Sequence, residues 1–215
     1  MNVINEAKDS GLQAAVVCAR GIKVSPSPSP LVEKLSHLVE MRKGEEFPSP
    51  PLKDSIRSLL KRGGFKPTGR NKPASEYLAQ AAREGRFPFI NNLVDINNYL
   101  SLLSGLPISL LDLDVTGQDI SLRTGKKDES FVFNASGQII NVEGLICICR
   151  KDGGPLGNPV KDSMEAKLKE SSENALGVIY ASSFTDPAEL KHYGEIFASL
   201  LKDYGEAEAT SIMLV

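Results

Sequence analysis

The side chains best suited to chemistry in this chain are concentrated in Phe87–Asp114, FPFINNLVDINNYLSLLSGLPISLLDLD. Leu93, Ile96, Leu100 and Leu103 recur at helical spacing and define a buried stripe. Around that stripe stand Asn91, Asn92, Asp95, Asn97, Asn98 and Ser101. Asn and Asp disfavour helix interiors because their side chains compete for backbone hydrogen bonds. A helix that keeps so many of them is using them either for polar contacts with a ligand or as a cap and a solvated face. Asp95 and Asn98 lie one turn apart and share a face, suited to ligand contact or to a polar network bracing the helix. Such groups could orient a substrate, hold a water and stabilise a developing negative charge.

Other chemistries find little support. There is no phosphate-binding glycine loop, no nucleophile elbow and no metal-binding histidine pair. The two histidines, His37 and His192, lie far apart in helical surface patterns, against a Ser-His-Asp or Cys-His centre. Cys147 and Cys149 alternate in an apolar strand and read as buried thiols, so no metal and no cofactor is expected. Three cysteines are too few and of the wrong parity for a disulfide framework. No apolar run approaches the roughly 18 residues that span a bilayer. Glu6, Lys8 and Asp9 interrupt any leader-like start, and a cytoplasmic location with no membrane partner is expected.

The chain carries a formal net charge of -2, so no global field draws in nucleic acid. Locally the balance reverses. Between Arg57 and Arg86 the charges sum to +6. There Lys61, Arg62, Lys66, Arg83 and Arg86 are candidates for phosphate contact or for a solvated, protein-docking face.

The elements that must position these groups follow from punctuation and periodicity. Leu12–Ala19 reads as a core strand, and Ser25–Pro30 (SPSPSP) as an extended connector. Helices are predicted over Leu31–Arg42, Leu52–Lys61 and Pro73–Arg83, followed by the Asn-rich one, which Gly105 and Pro107 stop. Strands are predicted at Ser109–Val115, Gln118–Arg123, Ser130–Asn134, Gln138–Val142, Leu145–Arg150, Ala175–Ala181 and Ala207–Leu214. In the first of these Asp112 and Asp114 would share a face. Asp152–Pro159 reads as a loop, Lys161–Glu173 is helical or extended, and Pro187–Tyr204 is an amphipathic helix. Early helices and later strands give an α+β class. Residues 1–51 are expected to form an N-terminal strand and helix packed on a main domain of residues 52–215.

In Asn92-x-Val94-Asp95-x-x-Asn98-Tyr99, Gly105-x-Pro107 and Asp112, the chain resembles the editing module of the phenylalanyl-tRNA synthetase β chain. It is more similar still to single-domain relatives of that module, through Lys72-Pro73-Ala74-Ser75-Glu76, Pro88-x-Ile90-Asn91, Ile120–Arg123 and Glu129–Phe131. The resemblance runs from about Phe65 to Ser182. It implies a three-layer arrangement, a β-sandwich of unusual topology flanked by helices. It also implies recognition of an aminoacyl-tRNA end or an amino-acid-like molecule, with hydrolysis of a mischarged ester in trans. The resemblance makes Arg70, Ser75, Glu76, Asn91, Asn92, Asp95, Asn98, Ser101 and Asp112 the matching polar positions, and Ser109 a further pocket candidate. For Ser75 and Glu76 the local alternative is helix capping. The synthetase motif has a histidine where Ser109 stands, and a glutamate on the strand equivalent to Ala175–Ala181, where this chain has none. A non-catalytic RNA- or ligand-binding module and a protein-interaction or regulatory domain therefore stand beside the deacylase.

Overall fold

The strand Leu12–Arg20 (β2) and the strand Asn174–Ser182 (β9) are apolar almost throughout because both of their faces are covered. They pair antiparallel along their whole length, Leu12 opposite Ser182 and Arg20 opposite Asn174. The computed structural model describes residues 1–215 except Asp152, and except the side chain of Arg70.

The described residues form eighteen elements. After β1 (Asn2–Asn5) and β2 come α1 (Ser29–Lys43), α2 (Pro50–Lys61), α3 (Ala74–Arg83) and α4 (Asn92–Ser104). Then come β3 (Ile108–Asp112), the single turn α5 (Leu113–Thr116), β4 (Asp119–Thr124), β5 (Ser130–Val132), β6 (Ile139–Asn141), β7 (Ile146–Arg150) and β8 (Pro155–Gly157). The order closes with β9, α6 (Pro187–Gly205) and β10 (Ala209–Leu214). Two short 3-10 turns, Lys8–Ser10 and Gly69–Asn71, complete it.

One sheet has the order β10-β2-β9-β3, the other β1-β4-β7-β8, and β5 and β6 form a separate hairpin. Alternation along the central strands assigns the layers. Ala15, Val17, Ile179 and Ala181 meet Leu93, Ile96 and Leu100 of α4 and Phe197 and Leu201 of α6. Ala14, Val16, Leu176, Val178 and Tyr180 point the other way, onto Ile120, Leu122, Ile146 and Ile148 of the second sheet. Leu35, Leu38, Leu78, Ala82 and Leu102 join α1, α3 and α4 beside them. The molecule is α+β, with helices on one sheet and a second sheet beneath it. Phe197 presses so closely on β9 that a Cβ on Gly177 would lie 2.4 Å from its ring.

Two expectations need correction, and a third, left open between two forms, is decided. Ser109–Val115 is not one strand. Asp112 turns its carboxylate onto the backbone N–H groups of Asp114 and Val115, at 2.9 and 3.3 Å, and caps the helical turn α5. Asp112 and Asp114 therefore do not share a strand face. The Gly- and Pro-rich segment after Arg150 holds a short strand, β8, paired with β7 across an irregular register. Of the two forms open to Lys161–Glu173 the extended one is found: it contains no helix, and Lys167 bridges to Leu111 of β3. Among the described residues no helix is long and apolar enough to cross a membrane.

Candidate functional site

α4 is held by the residues that make its sequence unusual. Asn91 caps it, its Oδ1 accepting from the Val94 N–H at 2.9 Å. Asn92 is fully buried. Its Nδ2 donates to the carbonyls of Lys23 and Tyr204 at 2.9 and 2.8 Å, and its Oδ1 accepts from the Ser25 N–H at 3.0 Å. Asp95 accepts from the Ser27 hydroxyl at 2.6 Å and from the Ile90 N–H at 3.0 Å. Ser101 donates to the Leu106 carbonyl at 2.8 Å. These four side chains tie the connector before α1 and the two ends of α4 together.

The amide pair in the middle of this helix, Asn97 and Asn98, is different. Asn97 Oδ1 is buried without a hydrogen-bond partner. Asn98 is 7% exposed, and its amide makes no hydrogen bond among the described residues. Both line a cleft of about 650 Å³. Ala74, Tyr77, Leu78 and Gln80 come from α3, Phe133 and Gln138 from the hairpin loop, and Val160 and Lys161 from the segment after β8. The spacing 74, 77, 78 places one face of α3 on the cleft.

The wall is cationic. Lys72 donates to Gln80 Oε1 at 2.7 Å, and Gln80 passes its own amide to Glu84 at 2.6 Å. Glu84 also accepts from Arg86. The Gln80 amide and then the Arg86 guanidinium hold the Glu84 carboxyl below the usual carboxylate range. The Arg86 guanidinium lies 5.5 Å from the Tyr77 ring centre. Opposite, Lys161 and Lys167 flank the Phe133 ring at 4.8 and 4.6 Å. No carboxylate or histidine lines the cleft among the described residues. It therefore offers amides, ring faces and positive charge: a site for an anionic or ester-bearing molecule rather than for a metal ion.

Next in sequence to the cleft residue Lys161, Asp162 joins a hydrogen-bonded group with Ser109 and Tyr180. Ser109 is fully buried on β3, 2.6 Å from Asp162 Oδ1 and 3.0 Å from the Tyr180 hydroxyl. The single Ser109 proton goes to the carboxylate, so Tyr180 donates to Ser109. Burial pushes the Asp162 carboxyl up to about 7, against the opposing pull of Ser109 and Lys167. Burial likewise pushes the Tyr180 hydroxyl well up.

Of the described candidate site residues, Asn98 and Arg86 line the cleft, joined by Asn97 from the polar set of the same helix and by Lys72 and Ala74 from the motif before it. Ser75 is buried in the first turn of α3. Glu76 is held by a bidentate pair with Arg57, at 2.7 and 2.6 Å. Asp112 caps α5 and accepts from Ser172 at 2.5 Å. Lys61, Arg62, Lys66 and Arg83 are exposed and do not line the cleft, and the Arg70 side chain lies outside the described residues. Tyr77, Gln80, Phe133, Gln138 and Lys161 were not foreseen. The three from the hairpin and the following loop carry no periodic signal, and only the packing of those loops on α3 brings them together.

The chain matches the B3/4 domain family over residues 64–193. It is 30% identical over 105 residues to the phenylalanine–tRNA ligase beta subunits of two strains of Staphylococcus epidermidis. Those alignments cover 48% of this chain and 13% of each relative, so the chain spans a small part of their length. A crystal structure of an N-terminal fragment of the phenylalanyl-tRNA synthetase beta-subunit from Pyrococcus horikoshii superposes with a TM-score of 0.51 at 10% identity. It covers 99% of this chain and 50% of that one, a likeness of fold alone. The family match takes in α3, α4, the hairpin and every residue lining the cleft: the chain belongs to the B3/4 domain family.

Proposed function

We propose that the cleft binds the aminoacyl end of a tRNA, or a molecule with the same amino-acid chemistry, and that the chain is a relative of the synthetase editing module. One observation carries this reading. Asn97 and Asn98 present amide groups with no protein partner inside a basic cleft. A ligand supplying both a donor and an acceptor would complete them. Lys72, Arg86 and Lys161 suit the phosphates and the ester oxygen of a charged tRNA end. Tyr77 and Phe133 supply ring faces for a base or an aromatic side chain.

An aminoacyl ester is already activated, so hydrolysis needs little beyond an oriented water and stabilisation of the oxyanion. The amides can orient the water, and the cations can stabilise the charge. A second reading, binding without turnover, is favoured by Ser109. It stands where the synthetase motif has a histidine, and its hydroxyl is committed to Asp162 and Tyr180.

The test is ester hydrolysis on a panel of correctly and wrongly charged tRNAs, run beside thermal-shift titration with the same tRNAs. Selective release of one amino acid, lost in Asn98→Leu with the fold intact, supports the deacylase. Stabilisation without release supports the binding module. Neither release nor stabilisation by any member removes both.

A further inference from the structure

We infer that β10 is a dimerisation edge, pairing antiparallel with β10 of a second copy to continue the sheet across a two-fold axis. β10 is the outer strand of its sheet and pairs on one side only, with β2. Ala14 and Val215 exchange both backbone bonds, at 2.9 and 3.0 Å, which fixes the alternation. In this register Thr210, Ile212 and Leu214 turn their N–H and C=O groups away from β2. None of these groups has a backbone partner among the described residues. The strand is also uncovered. Ile212, Met213 and Leu214 are 37%, 38% and 41% exposed.

Open edges are normally protected by a charge, a proline or a bulge. β10 (ATSIML) has none of these, and its pairing with β2 is regular. The edge of the second sheet, β1 (NVIN), lies on the same side, since Met1 Sδ is 2.8 Å from Cys18 Sγ, and Cys18 sits opposite Ser211. β1 likewise lacks charge and leaves Ile4 43% exposed. One side of the sandwich therefore carries both uncharged edges.

A second copy of the chain fits this side by register and by charge. A two-fold axis at Ile212 pairs Thr210 with the partner's Leu214 and sets only uncharged strand side chains opposite one another. α6 packs over β2 and β10, with α4 on its inner flank. Gly194 touches β10 at Ile212, the would-be Cβ lying 3.0 Å from Ile212 Cγ2. Helical geometry puts Lys191 and Glu195 on the flank of α6 away from α4, beside the open edge. They are exposed, lie one turn apart and pair loosely with each other at 3.8 Å, a contact that a facing copy could exchange for one across the axis. Antiparallel apposition of two such helices sets each Lys191 against the partner's Glu195.

The experiment is sedimentation equilibrium on the full chain across the micromolar range. The expected mass is twice the chain's 23.2 kDa. Ile212→Pro blocks the edge without removing a bond to β2, because that N–H faces outward. It should give a monomer with unchanged circular dichroism. If that variant fails to fold, the exposed pair on α6 decides. Lys191→Glu should weaken the dimer several-fold, and adding Glu195→Lys should restore it. A monomer at every concentration overturns the inference. So does a dimer indifferent to Ile212→Pro, or one that Lys191→Glu leaves as tight as before.

Discussion

Asp162→Asn should change how stability depends on pH, with a sign opposite to that of an ordinary paired carboxylate. The Asp162 carboxyl titrates at about 7 in the folded chain, raised chiefly by burial from an ordinary value of 3.8. A group whose folded value lies above its unfolded value contributes most stability below the unfolded value, and loses that contribution as pH rises through the folded one. The loss therefore falls between pH about 4 and about 7. Over about three pH units the ceiling is about 4 kcal/mol, at 1.36 kcal/mol per unit. Asp162 is half-buried rather than sealed, and solvent screening reduces that to about 2 kcal/mol. In a chain of this size the effect is about 4 to 8 °C in Tm. The readout is the difference in stability between the natural chain and Asp162→Asn, measured by urea unfolding from below pH about 4 to above pH about 7. Taking the difference cancels other titrating groups, such as Glu129, whose carboxyl Arg123 holds low. Asn keeps an acceptor for Ser109 at 2.6 Å while removing the charge. The natural chain should lose ground to the variant as pH rises. A difference flat across the range refutes the claim that Asp162 carries a destabilising buried charge at neutral pH.

Other perturbations separate holding from binding. Asn92→Ala removes the ties to Lys23, Ser25 and Tyr204 and leaves two part-buried carbonyls and one N–H without that partner. It should cost about 3 kcal/mol in chemical denaturation, and a change below about 1 kcal/mol would contradict its bracing role. Gly177→Ala places a Cβ 2.4 Å from the Phe197 ring. It should cost about 1 to 3 kcal/mol, recovered in part by Phe197→Leu in a double-mutant cycle. Asn98→Leu should leave Tm unchanged or raised, yet lower the affinity of a charged tRNA tenfold or more by titration. A variant as unstable as Asn92→Ala would class Asn98 with the braces.

The fold was legible where local chemistry and tertiary context agree. Pro187 opens a helix, and Gly105 closes α4 in the left-handed conformation at φ 77°. β2 and β9 announce themselves as apolar runs because both of their faces are buried. β1 was missed because four residues carry no period, and its parallel partner β4 lies more than a hundred residues away. β8 was missed because its glycines and prolines signal a loop, and only pairing with β7 makes them extended. The site was legible only in part. Sequence marks α4 as polar but cannot divide its polar residues into braces and contacts, because the division depends on what lies opposite each one. The carbonyls of Lys23 and Tyr204 meet Asn92, whereas open space meets Asn98.

That division is the strongest physical argument for the cleft. Each Asn or Asp within a helix gives up some helix propensity, and a buried amide left unpaired costs about a further 1 to 3 kcal/mol. Asn92 and Asp95 offset this by bonding segments distant in sequence, so folding alone accounts for them. Asn97 and Asn98 have no such return inside the chain. Leucine at position 98 would pack against Leu78 and Val160, which line the same cleft, and would be the better residue for stability. A stability penalty placed beside Lys72, Arg86 and Lys161 is what a ligand-binding surface requires. Polar groups kept open for a ligand cannot also be consumed by the fold.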